Sequence, residues 1–247
     1  MADRFFMASV EEDGRLKLSR EESHHVVRVM RKQPGDVLEL LDGRDMLYRA
    51  VIEEVRDGCV LARELARQDV QRELSIHVTL VQGLCKGDKM DLVVQKATEL
   101  GAQSIVAVET KRSDVRLKPE RAAKKRERWA TVAREAVKQC GRGLVPDVSL
   151  AEDLEESLHR ACASPCHLLV LYENETHDTL RDVLGDWHDG LPIVVFIGPE
   201  GGFAPDEMAR LKDSGARSAT LGRRILRTET AGLATLACLA YEFGEKA

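Results

Sequence analysis

No apolar run in this chain approaches membrane-spanning length, and no signal peptide opens it, which points away from a bilayer and from secretion. Six cysteines occur without a CxxC pair; the expectation is reduced thiols in a cytoplasmic protein, not a disulfide framework. Low-complexity segments, internal repeats and a disorder-type composition are also missing. His159, Cys162, Cys166 and His167 are the nearest approach to a zinc set. Two of them open an apolar strand and two end a helix, so no metal is expected there. His24 and His25 read as members of a short helix.

What is present is charge sorted by sign. The formal net charge of −5 argues against a polyanionic partner, yet residues 111–142 hold 12 Lys or Arg against 4 Asp or Glu, while residues 149–190 hold 2 against 10. Such segregation makes a phosphate-attracting face on an acidic protein, although a solvated helix surface has the same composition.

At 247 residues the chain can bury one large core or two modest ones. Val37 to Leu41, Met46 to Val55 and Cys59 to Leu65 alternate around Asp42-Gly43 and Asp57-Gly58, a β meander with hairpin turns. Ser19 to Glu22 reads as a capping box starting a helix through Arg31. Together these predict a small β-rich barrel over residues 1–70. Ala66 to Glu73 is polar and without period, the best candidate for a linker. From residue 74 to 247 the pattern changes. Apolar runs at Ser75 to Gln82, Ser104 to Glu109, His167 to Tyr172, Pro192 to Ile197 and Arg217 to Leu221 alternate with helical segments, the signature of an α/β domain with a mostly parallel sheet. Met90, Val93, Val94, Ala97 and Leu100 share one helix face, as do Trp129, Val132, Ala133, Ala136, Val137 and Cys140. Lys89, Gln95, Lys96, Glu99, Arg134 and Lys138 are placed on the opposite faces.

The most specific segments lie near the C-terminus. Gly198 to Phe203, GPEGGF, follows the strand Ile193 to Ile197 and precedes a helix opened by Pro205. No GK[ST] follows and GxGxxG is absent, which excludes a triphosphate cradle and the usual dinucleotide fingerprint. Leu221 to Ala231, LGRRILRTETA, feeds the last helix.

With Arg4-Phe5-Phe6, Val29-Met30-Arg31 to Gly35-Asp36, Asp42-Gly43, Gln95 to Gly101 and Arg112-Ser113, these two segments resemble the SPOUT superfamily of S-adenosylmethionine-dependent RNA methyltransferases. Within it the chain is similar to the bacterial 16S ribosomal RNA (uracil-N3) methyltransferase family. Val-Met-Arg at 29–31 and Lys-Gln-Cys at 138–140 are small departures from the family's usual wording. The resemblance implies a PUA-like barrel that positions RNA, a deep C-terminal trefoil knot, S-adenosylmethionine as cofactor, 16S rRNA as partner and a homodimer. The last helix spreads Leu233, Leu236, Ala237, Leu239 and Ala240 over more than one face, compatible with burial on its own sheet and on a partner.

The same resemblance assigns Gly198, Pro199, Glu200, Gly201, Gly202, Leu221, Gly222, Ile225, Leu226 and Ala231 to the cofactor, with Leu171, Tyr172 and Glu173 as a third wall. Methylating N3 of a uridine needs an in-line sulfonium methyl, loss of the N3 proton and stabilisation of the uridinate. Arg227 is the candidate stabiliser and Glu229 the proton acceptor or loop clamp, with Arg112 near the target base. The plainer alternative makes Thr228 an N-cap and Glu229 a partner of the helix dipole. Lys86, Lys89, Arg112, Lys124, Lys125, Arg128, Arg134 and Arg142 are the candidate RNA contacts. A methyltransferase for another rRNA or tRNA nucleotide, and a non-catalytic RNA-binding assembly factor, remain open on the residues alone.

Overall fold

A computed structural model describes residues 4–244; residues 1–3 and 245–247 of the two expected domains lie outside them. The chain forms two compact units, Met1–Glu73 with Val137–Val145, and Leu74–Ala136 with Pro146–Ala247.

In the first unit, β1 (Arg4–Val10), β2 (Leu16–Leu18), β3 (Val37–Leu41), β4 (Met46–Arg56) and β5 (Cys59–Asp69) close a barrel in the order β1-β2-β5-β4-β3. Phe5, Leu16, Leu18, Leu40, Ile52 and Val60 fill it. Asp57 and Gly58 both take positive φ, 52° and 77°, the two-residue turn whose twist suits a hairpin. β5 pairs with β4 as far as Asp69, so the first half of the polar stretch expected as a linker is strand. Sequence reasoning missed this because its residues are exposed on the ribbon and carry no core-facing alternation. α1 (Arg20–His24) is capped by Ser19, whose hydroxyl accepts from the Glu22 amide at 3.2 Å, and continues as a π-helical turn over His25–Val29. It stops short of the predicted Arg31, which sits at φ 56°, outside helical space.

In the second unit, β6 (Val78–Gly83), β7 (Ser104–Val108), β8 (Asp147–Ala151), β9 (His167–Leu171), β10 (Ile193–Ile197) and β11 (Arg217–Ala219) form one sheet in the order β11-β9-β10-β6-β7-β8. Every pairing is parallel. β8 was not foreseen: DVSLA is a five-residue edge strand with a polar start, and its alternation of Val148 and Leu150 is too short to stand out. α2 (Lys89–Glu99), α3 (Pro119–Cys140), α5 (Leu180–Gly185) and α7 (Thr228–Phe243) contribute to the larger core, while α4 (Leu154–Ala161) and α6 (Pro205–Asp213) contribute to the other. Coverage of both faces explains why β10 is buried along its whole length.

The last turn of α3 groups with the first unit, where Val137 joins Phe6 and Leu41. Lys138, placed on a solvent face by spacing, is mostly buried there and donates to Glu22 at 3.1 Å. All six cysteines are unpaired. Cys166 donates to the Ala161 carbonyl, and His167 stacks on Trp187 at 4.4 Å and bonds Asp189 at 2.9 Å; these groups have packing partners. Among the described residues no helix is long and apolar enough to cross a membrane.

Candidate active site

Ligands of parallel α/β sheets bind beyond the carboxyl ends of the strands, and the loops after β9, β10 and β11 converge there on a cavity of about 970 Å³. All thirteen residues named for the cofactor line it, from Leu171, Tyr172 and Glu173 through Gly198 to Gly202 and on to Leu221, Gly222, Ile225, Leu226 and Ala231. Ile197, Leu221, Leu226 and Ala231 supply apolar surface. Glu173 and Glu175 supply carboxylates, and Arg223, Arg224 and Arg227 guanidinium groups.

The glycine loop is held by close backbone approach. A Cβ on Gly83, at the end of β6, would lie 2.5 Å from the Pro199 nitrogen, and one on Gly201 would meet Arg112 at 3.0 Å. The left-handed residue is Gly202, at φ 67°, not Gly201; a Cβ there would also sit 2.6 Å from Glu173 Oε1. Gly222, at φ 106°, has open space where a Cβ would stand. The loop is further fixed by Glu207, buried at the first turn of α6. Its carboxylate accepts from the Ala204 amide at 2.8 Å and the Lys111 amide at 2.8 Å, joining this loop to the one after β7.

The last helix is tied to the same loop. Thr228 is the first residue of α7, with Arg227 at the N-cap, so the N-cap role considered for Thr228 falls to its neighbour. The Thr228 hydroxyl donates to the Gly198 carbonyl at 2.5 Å and accepts from Gln82 Nε2 at 2.8 Å. Cys85 lies beside them, its thiol pushed up to about 11 by burial, and Gln82 Oε1 is buried without a hydrogen-bond partner among the described residues. Lys89 stands between two carboxylates, 2.9 Å from Glu200 Oε1 and 3.3 Å from Glu229 Oε2. Its hydrogen bond to Glu200, then the nearby charge of Glu229, holds the ammonium above its ordinary value against burial. The second contact is an ion pair only, and Glu229 Oε2 is buried with no hydrogen-bond partner among the described residues. Burial would raise the Glu200 carboxyl, but the bond from Lys89 and backbone amides keep it below its usual range.

Of the candidate RNA contacts, Arg142 is contradicted: it is buried, with its guanidinium on Glu73 in the first unit. A cation neutralised in that way does not face a phosphate. Lys86 pairs with Asp114 at 2.7 Å, and Lys89 belongs to the clamp just described. Arg128 is bonded to Asp91. Arg112 is exposed and donates to the Gly201 carbonyl at 3.3 Å, which places it against the glycine loop. Lys124, Lys125 and Arg134 lie along the partly exposed face of α3.

Sequence reasoning missed Arg223, Arg224, Glu175, Thr176, Thr179 and Thr220 as cavity residues. The two arginines stood in the quoted LGRRILRTETA segment and needed only the loop's curvature. Glu175 lacked any local signal. Its carboxyl is lowered to about 2 by the Ser218 hydroxyl, then by the His177, Asp178 and Thr176 amides.

With this geometry in view, similarity to known proteins is direct. A family profile for an RNA methyltransferase domain matches residues 72–240, and one for an RNA methyltransferase PUA domain matches residues 18–63. The chain is 33% identical to ribosomal RNA small subunit methyltransferase E of Bacillus subtilis, over 94% of this chain and 92% of that one. It is 36% identical to the Mycobacterium bovis protein of the same name, over 87% and 82%. Its fold matches the crystal structure of ribosomal RNA small subunit methyltransferase E from Neisseria gonorrhoeae bound to S-adenosyl methionine, at TM-score 0.83 and 30% identity, covering 98% of both chains. A parallel α/β domain with these loops, joined to a PUA-type barrel, therefore belongs to the RNA methyltransferase family.

Proposed function

We propose that this chain transfers the methyl group of S-adenosylmethionine to N3 of a uridine in 16S ribosomal RNA. The observation that carries the reading is the single cavity formed by the loops after β9, β10 and β11, in a chain similar over 98% of its length to a structure bound to S-adenosyl methionine. The residues fit that cofactor. Gly198, Gly201 and Gly202 leave backbone close to the cavity, Ile197, Leu221 and Leu226 offer apolar surface for an adenine, and Glu173 and Glu175 offer carboxylates to a cation. When bound, S-adenosylmethionine supplies the electrophilic methyl group.

The chain's own groups do the rest. Arg227 stands at the N-cap of α7, where the helix dipole adds positive potential, and favours the uridine anion left when N3 loses its proton. Arg112 holds the Gly201 carbonyl and so positions the loop. Glu229, ion-paired with Lys89, acts as the clamp of the two roles considered for it, keeping α7 against α2.

Residues 1–70 position RNA and residues 74–247 carry catalysis, the substrate is the small subunit or its rRNA, and the enzyme is a cytoplasmic homodimer. The final segment passes under the loop after β10 as a knot; the Thr228 hydroxyl on the Gly198 carbonyl at 2.5 Å holds the start of α7 against that loop, in keeping with this reading. The test is methyl transfer to isolated small subunits against bulk tRNA, with nucleoside mass spectrometry of the product. N3-methyluridine from small subunits alone is expected. Product from tRNA, or failure to bind S-adenosylhomocysteine in calorimetry, overturns the reading.

A further inference from the structure

We infer that a second cavity in the catalytic unit holds a nucleotide of the RNA next to the target, a base subsite resting on the function proposed above. This cavity, of about 430 Å³, is walled by the half-buried Val115 and Leu117, backed by the buried Leu84, Met90 and Trp129, and is within the usual range of about 300–1,000 Å³ for small-ligand sites. Its rim is basic. Arg116, Arg121, Lys124, Lys125 and Arg128 all line it, and among the described residues no carboxylate does.

The cations divide into two groups. Arg116 is spent on Glu109 and the Thr110 and Lys111 carbonyls, and Arg128 on Asp91. Arg121, Lys124 and Lys125 stand on the first turns of α3 without a side-chain partner among the described residues. Free cations over apolar walls suit a ligand that is anionic at one end and flat and apolar at the other, as a nucleoside phosphate is. Trp129 is kept in place by its bond to Asp91 at 3.2 Å.

Position supplies the link to catalysis. Lys89 lines the large cavity and Met90 the small one, so the start of α2 separates them by one residue along the chain. RNA crossing this point presents one base to Arg227 and a neighbouring base to the apolar walls, with phosphates over Arg121, Lys124 and Lys125. The subsite thus fixes which uridine reaches the methyl donor.

The test fills the cavity without altering charge. Val115 and Leu117 are half-buried at its wall. Val115→Phe and Leu117→Phe are expected to raise KM for small subunits roughly tenfold, about 1.4 kcal/mol, with kcat, S-adenosylhomocysteine affinity and salt slope at wild-type levels. Wild-type KM in either variant, with cofactor binding intact, overturns the subsite. A readout independent of methyl transfer and of those variants is Trp129 fluorescence in a Trp187→Phe background, titrated with uridine 5′-monophosphate. Saturable quenching is expected, and its absence at millimolar nucleotide overturns the proposal. If small subunits accept no methyl group at all while quenching persists, the substrate assignment fails and the nucleotide site stands.

Discussion

Arg227 faces the cavity from the N-cap of α7 with no hydrogen-bonding partner for its side chain among the described residues, so its charge is available to whatever enters. Assigned to the uridine anion, it should act on the rate: Arg227→Ala is expected to lower single-turnover methyl transfer on the order of a hundredfold, with cofactor affinity unchanged and the pH-rate profile moved to higher pH. Lysine should restore only part of the rate, because it lacks the planar fork. A collapse of RNA binding at wild-type single-turnover rate would make Arg227 a docking residue. Thr228 works differently. Its hydroxyl serves Gly198 and Gln82 together, so Thr228→Val should leave a buried amide unpaired and cost about 1–3 kcal/mol of stability, read as a lower melting temperature with weaker S-adenosylhomocysteine binding. Glu175 gives a pH signature. Its folded value is depressed from 4.5 to about 2, so its contribution is complete above about pH 4.5 and disappears as pH falls toward 2. Calorimetric melting of Glu175→Gln should therefore differ most from wild type near neutrality and converge with it in acid; a constant offset would show that the carboxylate bonds contribute nothing.

At the scale of elements, α3 separates legible from illegible. Its apolar face could be read from spacing, and Trp129, Ala133, Ala136 and Val137 are indeed buried. The fate of its charges could not, because ion pairs depend on which elements meet: Arg128 is neutralised by Asp91 on α2, whereas Lys124 and Lys125 are not. Reversing Lys124 and Lys125 to Glu should weaken RNA affinity and flatten its salt dependence, the log–log slope changing by about 0.7 for each single-strand phosphate no longer neutralised. Reversing Arg128 should mainly disturb α2 against α3 and lower the melting temperature. An unaltered salt slope in the double variant would return α3 to the role of a solvated face. The glycine loop shows the same division. Its place after β10 was legible because a doubly buried parallel strand is a continuous apolar run, but which glycine needs a left-handed backbone was not, since the choice of Gly202 over Gly201 is made by packing on Glu173 and Arg112. The far half of β5 escaped because its residues face solvent and leave no apolar period to read, and β8 because Val148 and Leu150 alternate over too short a run to stand out.

At the scale of the molecule, the exposed apolar side chains argue for a second copy. α7 buries Leu236 and Leu239 against its own sheet, yet Tyr241 is 88% exposed, and Ile225 in the preceding loop is 83% exposed while lining the large cavity. Cys238 is exposed on the same helix, and Leu92 on α2, which packs against α7. Single exposed hydrophobes are ordinary; apolar residues gathered on one helix and on the adjoining cofactor loop are what an isologous interface covers. A stable dimer buries about 1,200–2,000 Å² in total, and burial of Ile225 within it would order the loop that carries Gly222 and Arg227. Dimerisation and cofactor binding are then linked: whatever favours the ordered loop favours both. Tyr241→Glu is expected to shift sedimentation from dimer to monomer and to weaken S-adenosylhomocysteine binding by at least tenfold, although Tyr241 does not line the cavity. Wild-type affinity should fall on dilution through the dimer dissociation range. A wild-type protein that sediments as a monomer at micromolar concentration and still binds the cofactor fully would refute both the dimer and the coupling.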